Sequence, residues 1–296
     1  MVRQVQEKLK LPERRVSRAL GQPRSTQRYR AQQRNGEAAL RRRMRELALR
    51  HPRFGYRRIA ALLASEGWRC NRKRVHRLWR AEGLKVPQKQ HKTRRLSDGS
   101  SANASHRRRA ERINEVWSFD FCHDRTSDGR PLKIFSVLDE HTRRCLTIEV
   151  ERRINSAEVV RILSALMALH GVPQHIRCDN GPEFIGAAVK KWLGRNAVSA
   201  LYIAPASPWE NAYAESYHSR LRDEVLCREE FATLPEAQAI LQGWRQEYNQ
   251  ERPHSALGYQ TPEAFAAACR RAQACSAALR RPGHDDEALV MNGVAP

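Results

Sequence analysis

Long apolar runs are absent from this chain. No segment approaches the run of about 18 consecutive apolar residues that a membrane-spanning helix needs, which excludes a membrane partner. The start, Met1-Val2-Arg3-Gln4, lacks the apolar stretch of a secretory leader. Cysteine is sparse: seven residues (70, 122, 145, 178, 227, 269, 275) lie scattered, odd in number and never as CxxC. That pattern excludes a disulfide framework and a clustered zinc site, and a reducing cytoplasm is the expected setting. Acidic residues are scarce in one place only. Residues 1–110 hold 7 acids against 32 bases, whereas residues 111–296 hold 25 against 22, so the whole excess of the +22 net charge sits in the first third. A basic part joined to a near-neutral part suits a protein that grips a polyanion with one and acts on it with the other.

With 296 residues and 41% hydrophobic content, about two domains and a real core are expected. Leu11 to Arg30 reads as helix, turn at Gly21-Gln22-Pro23, and a second short helix capped by Ser25. Residues 1–36 are thus a basic helical arm or a helix-turn-helix remnant. Residues 37–84 carry a firmer pattern. Leu40, Met44 and Leu47 line one helix, and Ile59, Leu62 and Leu63 a second closed by Gly67. Val75, Leu78 and Trp79 line a third, capped by Asn71 and stopped by Gly83. Arg72, Lys73, Arg74, Arg77 and Arg80 lie off the third stripe with no acid among them. Three short helices with a basic last one is the plan of a helix-turn-helix module, and five cations on one helix favour phosphate contact over a merely solvated face. Residues 85–110 have the polar, basic, Ser-rich composition of a flexible linker.

Beyond Glu111 the period changes to two. Val116–Cys122 alternates, with Trp117, Phe119 and Phe121 on one face and Ser118, Asp120 and Cys122 on the other. Lys133–Leu138 and Cys145–Val150 complete three successive strands, antiparallel in expectation. A helix capped by Ser156 runs to His170. A strand at His175–Cys178, a helix around Phe184–Leu193, a strand near Ser199–Ile203 and a helix after Ser207-Pro208 follow. The order βββαβαβα predicts an α/β domain with mixed strand directions over residues 111–268. Residues 269–296 read as helix and then a mobile polar tail.

Three acids fall where this order can bring them together. Asp120 sits mid-strand, where aspartate is depleted unless something needs it. Asp179 follows the C-terminal end of a core strand, where open α/β sheets place ligands. Glu215 lies in the last helix. Such carboxylates offer hard oxygen ligands to Mg²⁺ or Mn²⁺, and two ions about 3.5–4 Å apart stabilise the attacking and leaving oxygens of a phosphodiester displacement.

The strings WSFDF (117–121), CDNGPEF (178–184) and SPWENAYAESYHSRLRDE (207–224) resemble those of integrase-type transposases of bacterial insertion sequences. The interval from Asp179 to Glu215 contains 35 residues, the spacing of the DDE superfamily that includes retroviral integrases. Similarity to the second-reading-frame product (OrfB) of two-frame elements extends through YRRIAALLASEG, VHRLWRAEGL and YNQERPHSALGYQTPEAF, roughly residues 10–268. The resemblance implies an RNase H-like catalytic core preceded by an all-α helix-turn-helix region. It implies Asp120, Asp179 and Glu215 as metal ligands, element-end DNA as substrate, and Arg222, two turns after Glu215, gripping DNA beside the scissile phosphate. It also implies a first-frame product as partner. Retroviral integrases carry an N-terminal His/Cys zinc module, but no cysteine precedes Cys70 here, and the helix-turn-helix takes its place.

Other residues have structural readings. Glu210 and Ser207 form a capping box. Glu183 starts a helix. Asn180 and Gly181 are explained by a sharp turn. Asp139 holds a turn. Cys122, Cys145 and Cys178 are small core residues, and His218 is a DNA-facing polar residue. Tyr248, Asn249, Arg252, Pro253 and His254 form a motif that either packs the C-terminal helices on the core or contacts DNA. The expected function is a nucleoid-associated DNA transposase. It would act on double-stranded element ends and target as a dimer or larger assembly, by strand cleavage and transfer with no covalent protein intermediate. A non-catalytic DNA-binding regulator would have no use for three aligned acids, and a plain RNase H-like nuclease no use for the basic module.

Overall fold

The computed structural model describes residues 2–29, 36–87, 108–179, 181–202 and 211–279, which divide between two compact units, 1–50 and 51–296. Most of the expected linker, Asn180, the Ser207–Glu210 capping box and the polar tail after 279 lie outside the described residues.

The first unit holds α1 (Val2–Leu9), α2 (Glu13–Ala19), α3 (Arg24–Arg28) and α4 (Glu37–Arg50). Val2 and Val16 are buried where α1 packs on α2, and the Arg28 guanidinium clasps Glu13 at both oxygens, tying α3 to α2. The helix expected to be capped by Ser25 starts at Arg24 instead. Pro23, at φ −58, occupies the cap without a side-chain bond and preorganises the turn. On α4 the buried residues include Leu40, Met44 and Leu47, the anticipated stripe.

The second unit opens with α5 (Tyr56–Ser65) and α6 (Arg72–Ala81). Asn71 caps α6 as read from the sequence, its side chain accepting from the Arg74 amide at 2.7 Å. Val75, Leu78 and Trp79 are buried, which leaves Arg72, Lys73, Arg77 and Arg80 exposed and Arg74 half-buried.

A mixed sheet follows, built from β1 (Val116–Arg125), β2 (Pro131–Asp139), β3 (Cys145–Glu151), β4 (His175–Cys178) and β5 (Ser199–Tyr202) in the order β3-β2-β1-β4-β5. β1, β2 and β3 pair antiparallel, whereas β4 joins β1 and β5 joins β4 in parallel. The crossovers are helical: α7 (Ser156–His170) links β3 to β4, and α8 (Pro182–Ile185) with α9 (Ala187–Arg195) links β4 to β5. α10 (Ala212–Leu221), α11 (Leu234–Gln250) and α12 (Pro262–Leu279) complete the chain. Both sheet faces are covered, which is why outward-facing strand positions are also apolar. Trp117, Phe119 and Phe135 pack against Val159 and Leu163 of α7 and Val189 and Leu193 of α9. Cys122, Ile134 and Ile148 pack on the other face against Tyr217 and Leu221 of α10 and Leu241 and Trp244 of α11. This is the RNase H-like mixed sheet that the resemblance implies. No helix among the described residues is long and apolar enough to cross a membrane.

Some boundaries differ from the sequence reading. Asn155, not Ser156, caps α7, because its side chain accepts from the Ala157 and Glu158 amides while Glu158 reaches back to close a capping box. The helix expected at 184–193 is two helices, parted where Gly186 takes an extended conformation, φ −56 and ψ 145. Asp139 does hold its turn: its carboxylate accepts from Thr142 N at 2.7 Å, Thr142 Oγ1 at 2.8 Å and Asn114 N at 2.8 Å.

Strand β3 is an edge, and α11 covers it. Gln238, Gln242 and Arg245 donate to the carbonyls of Val150, Ile148 and Leu146, at 2.9, 2.8 and 3.1 Å. Asn249 completes the row by pairing with both backbone groups of Cys145, accepting at 2.9 Å and donating at 2.8 Å. A row of side-chain donors thus occupies carbonyls that would otherwise recruit another strand. Asn249→Ala strands a buried N–H and a buried C=O, each costing about 1–3 kcal/mol. Its urea midpoint should fall by the equivalent of about 2–4 kcal/mol, against about 1–2 kcal/mol for Gln242→Ala, which loses one bond to the sheet and one from Arg245, both only part-buried. Equal midpoints for the two variants would show that Asn249 is not the principal edge cap.

The helix pair α5–α6 is docked on this same C-terminal region. Phe54, 3% exposed, stacks on His51 at 4.6 Å and lies beneath the guanidinium of Arg252 at 5.0 Å. Arg72 of α6 sits 5.0 Å from the Tyr259 ring centroid, and Arg53 lies 3.5 Å from Asp223. The 248–254 motif is therefore a packing latch. Asn249 holds the sheet edge, Arg252 pairs with Glu224, and His254 meets Tyr248 edge-on at 4.9 Å.

Candidate active site

The parallel pairing of β1 with β4 ends at Ser118 and Arg177, one residue before β4 itself ends. Asp120 lies mid-strand on β1, two residues past the last β1–β4 pair, and Asp179 directly follows the carboxyl end of the parallel neighbour β4. The two carboxylates bear on each other. Asp179 is raised above its ordinary value first by burial and then by the charges of Asp120 and Glu183, offset in part by the Gly181 amide donating to it at 3.1 Å. Burial and then both aspartates push the Cys178 thiol up to about 12.

Gly181 contributes space rather than an unusual turn. Its backbone, φ −59 and ψ 147, is open to any residue, which corrects the turn-based reading. A Cβ there would lie 3.1 Å from Asp179 Oδ1 and 3.4 Å from Glu183 Oε2. Glu183 begins α8 as expected, but its charge is committed elsewhere: Lys133 pairs with it and holds its carboxyl below the usual range. The same ammonium donates to the Ile154 carbonyl at 3.2 Å and lies 4.0 Å over the Phe121 ring.

Helix α10 lies along β1. Asn211 Nδ2 donates to the Phe119 carbonyl at 3.4 Å, His218 Nδ1 approaches Asp120 Oδ2 to 3.5 Å, and the Arg222 charge offsets part of the rise that burial imposes on the Cys122 thiol. These three residues and Glu215 recur at helical spacing on one stripe. Glu215 lies between the residue facing Phe119 and the residue facing Asp120, yet its side chain is exposed and makes no hydrogen bond or ion pair among the described residues. No three His, Cys, Asp or Glu side chains among the described residues stand close enough to share a metal ion. The structure thus brings Asp120 and Asp179 together and sets Glu215 on the facing helix. It leaves Arg72, Lys73, Arg74, Arg77 and Arg80 together on α6.

Two of the expected donors, Asp120 and Asp179, thus act on each other, Gly181 leaves open the space beside Asp179, and Glu215 stands on the facing helix, outside a preformed three-ligand cluster.

His218 is the residue that the sequence reading misplaced. It is buried at 5% exposure, with Nε2 2.7 Å from Ser136 Oγ, so it does not face DNA. Ser136 stands directly across from Asp120 in the β1–β2 register. The one available signal was spacing, since His218 lies three residues after Glu215 on the stripe that faces β1. Cys122, Cys145 and Cys178 are buried core residues, as expected.

A mixed five-stranded sheet carrying a mutually acting carboxylate pair, with a basic helix pair upstream, has the plan of an integrase-type core joined to a helix-turn-helix-type module. The chain matches the Integrase core domain family over residues 110–208 and again over 196–262, and the HTH-like domain family over 35–92. It is 38% identical to the insertion element IS407 uncharacterized 31.7 kDa protein of Burkholderia multivorans, covering 93% of this chain and 98% of that one. It is 27% identical to the transposase for insertion sequence element IS904 of Lactococcus lactis, over 72% of this chain and 87% of the relative. The simian T-cell lymphotropic virus intasome, solved in complex with a PP2A regulatory subunit, has a chain that aligns with a TM-score of 0.49 and 15% identity, over 76% of this chain and 74% of its own. The chain belongs to the transposases of bacterial insertion elements.

Proposed function

We propose that this transposase binds the double-stranded ends of its element, cuts a strand and joins the freed 3′-hydroxyl to target DNA. The observation that carries this reading is that Asp120 on β1 and Asp179 after β4 stand close enough for the charge of one to raise the other. Asp120, Asp179 and Glu215 are assigned as ligands of Mg²⁺ or Mn²⁺, in all two ions. Bound there, the ions would stabilise charge on the attacking and leaving oxygens of the phosphodiester. The chain's own residues do the positioning. His218 and the β-sheet fix Asp120, the Gly181 amide fixes Asp179, α10 carries Glu215, and Arg222, the residue just past the end of α10 on the same stripe, meets the DNA backbone. Water and then the DNA 3′-hydroxyl are the nucleophiles. Each displacement makes one P–O bond as another breaks, so no protein nucleophile is needed. Both ends must be held in one complex, so the active form is a dimer or larger assembly. On the sequence resemblance alone, the first-frame product of the element is a further partner, and the setting is the cytoplasmic nucleoid.

Incubation with a labelled element end, target plasmid and Mg²⁺ tests the proposal. Joined products are expected. Cutting without joining would select a nuclease, and binding alone a regulator.

The DNA-binding role falls to Arg72, Lys73, Arg74, Arg77 and Arg80 of α6, with the exposed tips of Lys73, Arg77 and Arg80 as the strongest candidates. Replacing those three by Ala should flatten the dependence of log K on log salt by about 0.9 for each phosphate no longer neutralised. An unchanged slope would mean that α6 presents a solvated face.

A further inference from the structure

On the other flank of α10 lies a second, separate feature. Ala212, Ser216 and Arg220 recur every four residues, about 130° around the helix from the stripe that faces Asp120. They line a cavity of about 290 Å³, together with Arg58 of α5, Arg143 of the β2–β3 turn, Tyr213 and His254. Three guanidiniums thus converge on one cavity from three different elements.

The acids nearby are already engaged: Glu224 pairs with Arg252, Glu140 with Arg177 at 2.8 Å, and Asp139 with its turn. Glu140 still acts on Arg143, and Glu224 on Arg58 and Arg220, but these are two carboxylates against three guanidiniums and each is already paired with another arginine, so positive charge is in excess. Burial, then Arg252, Arg220, Arg58 and Arg143, push His254 down to about 2, and burial followed by the charge of Arg252 pulls Arg58 down to about 10.

Two observations mark the cavity as more than a crowded surface. Arg143 Nη1 and His254 Nε2 are buried without a hydrogen-bond partner among the described residues, an arrangement that costs free energy unless something else fills it. Arg143 also occupies a left-handed backbone conformation, φ +63, where Asn or Gly is the ordinary choice. From there its guanidinium lies 3.8 Å over the Tyr213 ring, and Arg220 is oriented by donating to the Ser216 carbonyl at 2.6 Å.

We propose that this cavity binds a phosphate group, with Arg58, Arg143 and Arg220 as its donors. Planar guanidiniums with spare N–H groups match phosphate oxygens in geometry and charge. The phosphate has two sources, a DNA backbone or a small polyphosphate. The DNA source rests on the proposed function, and the phosphate chemistry does not. Because α10 stands between the cavity and the carboxylates, the bound phosphate is not the reacting one. On DNA it would be a second anchoring contact.

The test uses the full chain, with tripolyphosphate as the small probe and an element-end duplex as the other. Wild type should show a saturable rise in melting temperature with tripolyphosphate that Arg143→Asn and Arg220→Gln both lose. Arg143→Asn suits the left-handed backbone, so it should fold at least as well as wild type and keep the measurement interpretable. With duplex, each variant should lower the salt slope by about 0.9 if a DNA phosphate occupies the site. A lost tripolyphosphate response with an unchanged slope supports the site and assigns it to a small polyphosphate. A response that survives in both variants, or that wild type never shows, overturns the proposal. A wild type that fails to bind duplex at any salt concentration defeats the proposed function instead, and the tripolyphosphate response still decides the cavity.

Discussion

Asp179→Asn should leave the protein folded, as stable as wild type or more so, and inactive. The two halves of that expectation come from one fact: Asp179 carries its charge against partial burial and against Asp120 and Glu183. A carboxylate raised in this way favours the unfolded chain once ionised, so deleting the charge at neutral pH removes a repulsion and should not lower the melting temperature. Metal-assisted charge stabilisation is worth several kcal/mol in the transition state, and about 4 kcal/mol corresponds to about 10³ in rate. Cutting and joining with Mg²⁺ should therefore fall by about 10³-fold or more. Asp120→Asn and Glu215→Gln should match that loss, because the three acids act as one unit. Glu183→Gln is the contrast. It leaves the Lys133 ammonium without its carboxylate, so the melting temperature should drop while most of the chemistry remains. Glu210→Gln, outside the described residues, should likewise keep most activity. If Glu183→Gln or Glu210→Gln is dead while Glu215→Gln turns over, the third acid is misassigned.

What the sequence disclosed and what it withheld divide along a physical line. Local signals read through well. Alternation marked β1 because Trp117 and Phe119 face one helical layer while Cys122 faces the other, and the Asn71 cap and the α4 stripe are set by neighbours three or four residues away. Asp120 stood out because aspartate is costly mid-strand without a purpose. Features built from distant partners did not read through. Asn249 matters because it meets Cys145, 104 positions earlier, and His218 because it meets Ser136, 82 positions earlier. Nothing in their immediate surroundings distinguishes such residues from ordinary polar positions on a helix. Competing local choices account for the smaller misses: Asn155 and Ser156 are both good caps, and only the reach back from Glu158 decides between them. The basic cavity was invisible for the same reason as His218, since Arg58, Arg143 and Arg220 converge only once the sheet and α10 are in place.

His218→Ala should raise the Mg²⁺ concentration needed for half-maximal activity, by about the 10–100-fold that loss of a residue supporting a metal ligand typically costs. The Ser136 hydroxyl, buried on β2 and facing His218 Nε2 at 2.7 Å, is the reason. If the hydroxyl donates, Nε2 is the acceptor and the ring proton sits on Nδ1, facing Asp120 Oδ2 at 3.5 Å. The opposite tautomer would aim a lone pair at the carboxylate, which is repulsive, so the serine selects the proton position that steadies Asp120. At 3.5 Å the contact is electrostatic rather than a good hydrogen bond, which makes His218 a positioning residue for Asp120 and not a ligand itself. Ser136→Ala frees the tautomer without removing the ring and should shift the Mg²⁺ midpoint in the same direction by less. His218→Asn, whose amide can still donate toward Asp120, should recover part of the loss. A merely structural histidine would give another pattern: a lower melting temperature, activity reduced in proportion to the folded fraction, and a Mg²⁺ midpoint equal to wild type in all three variants. That pattern would remove His218 from the site and leave Asp120 held by the sheet alone.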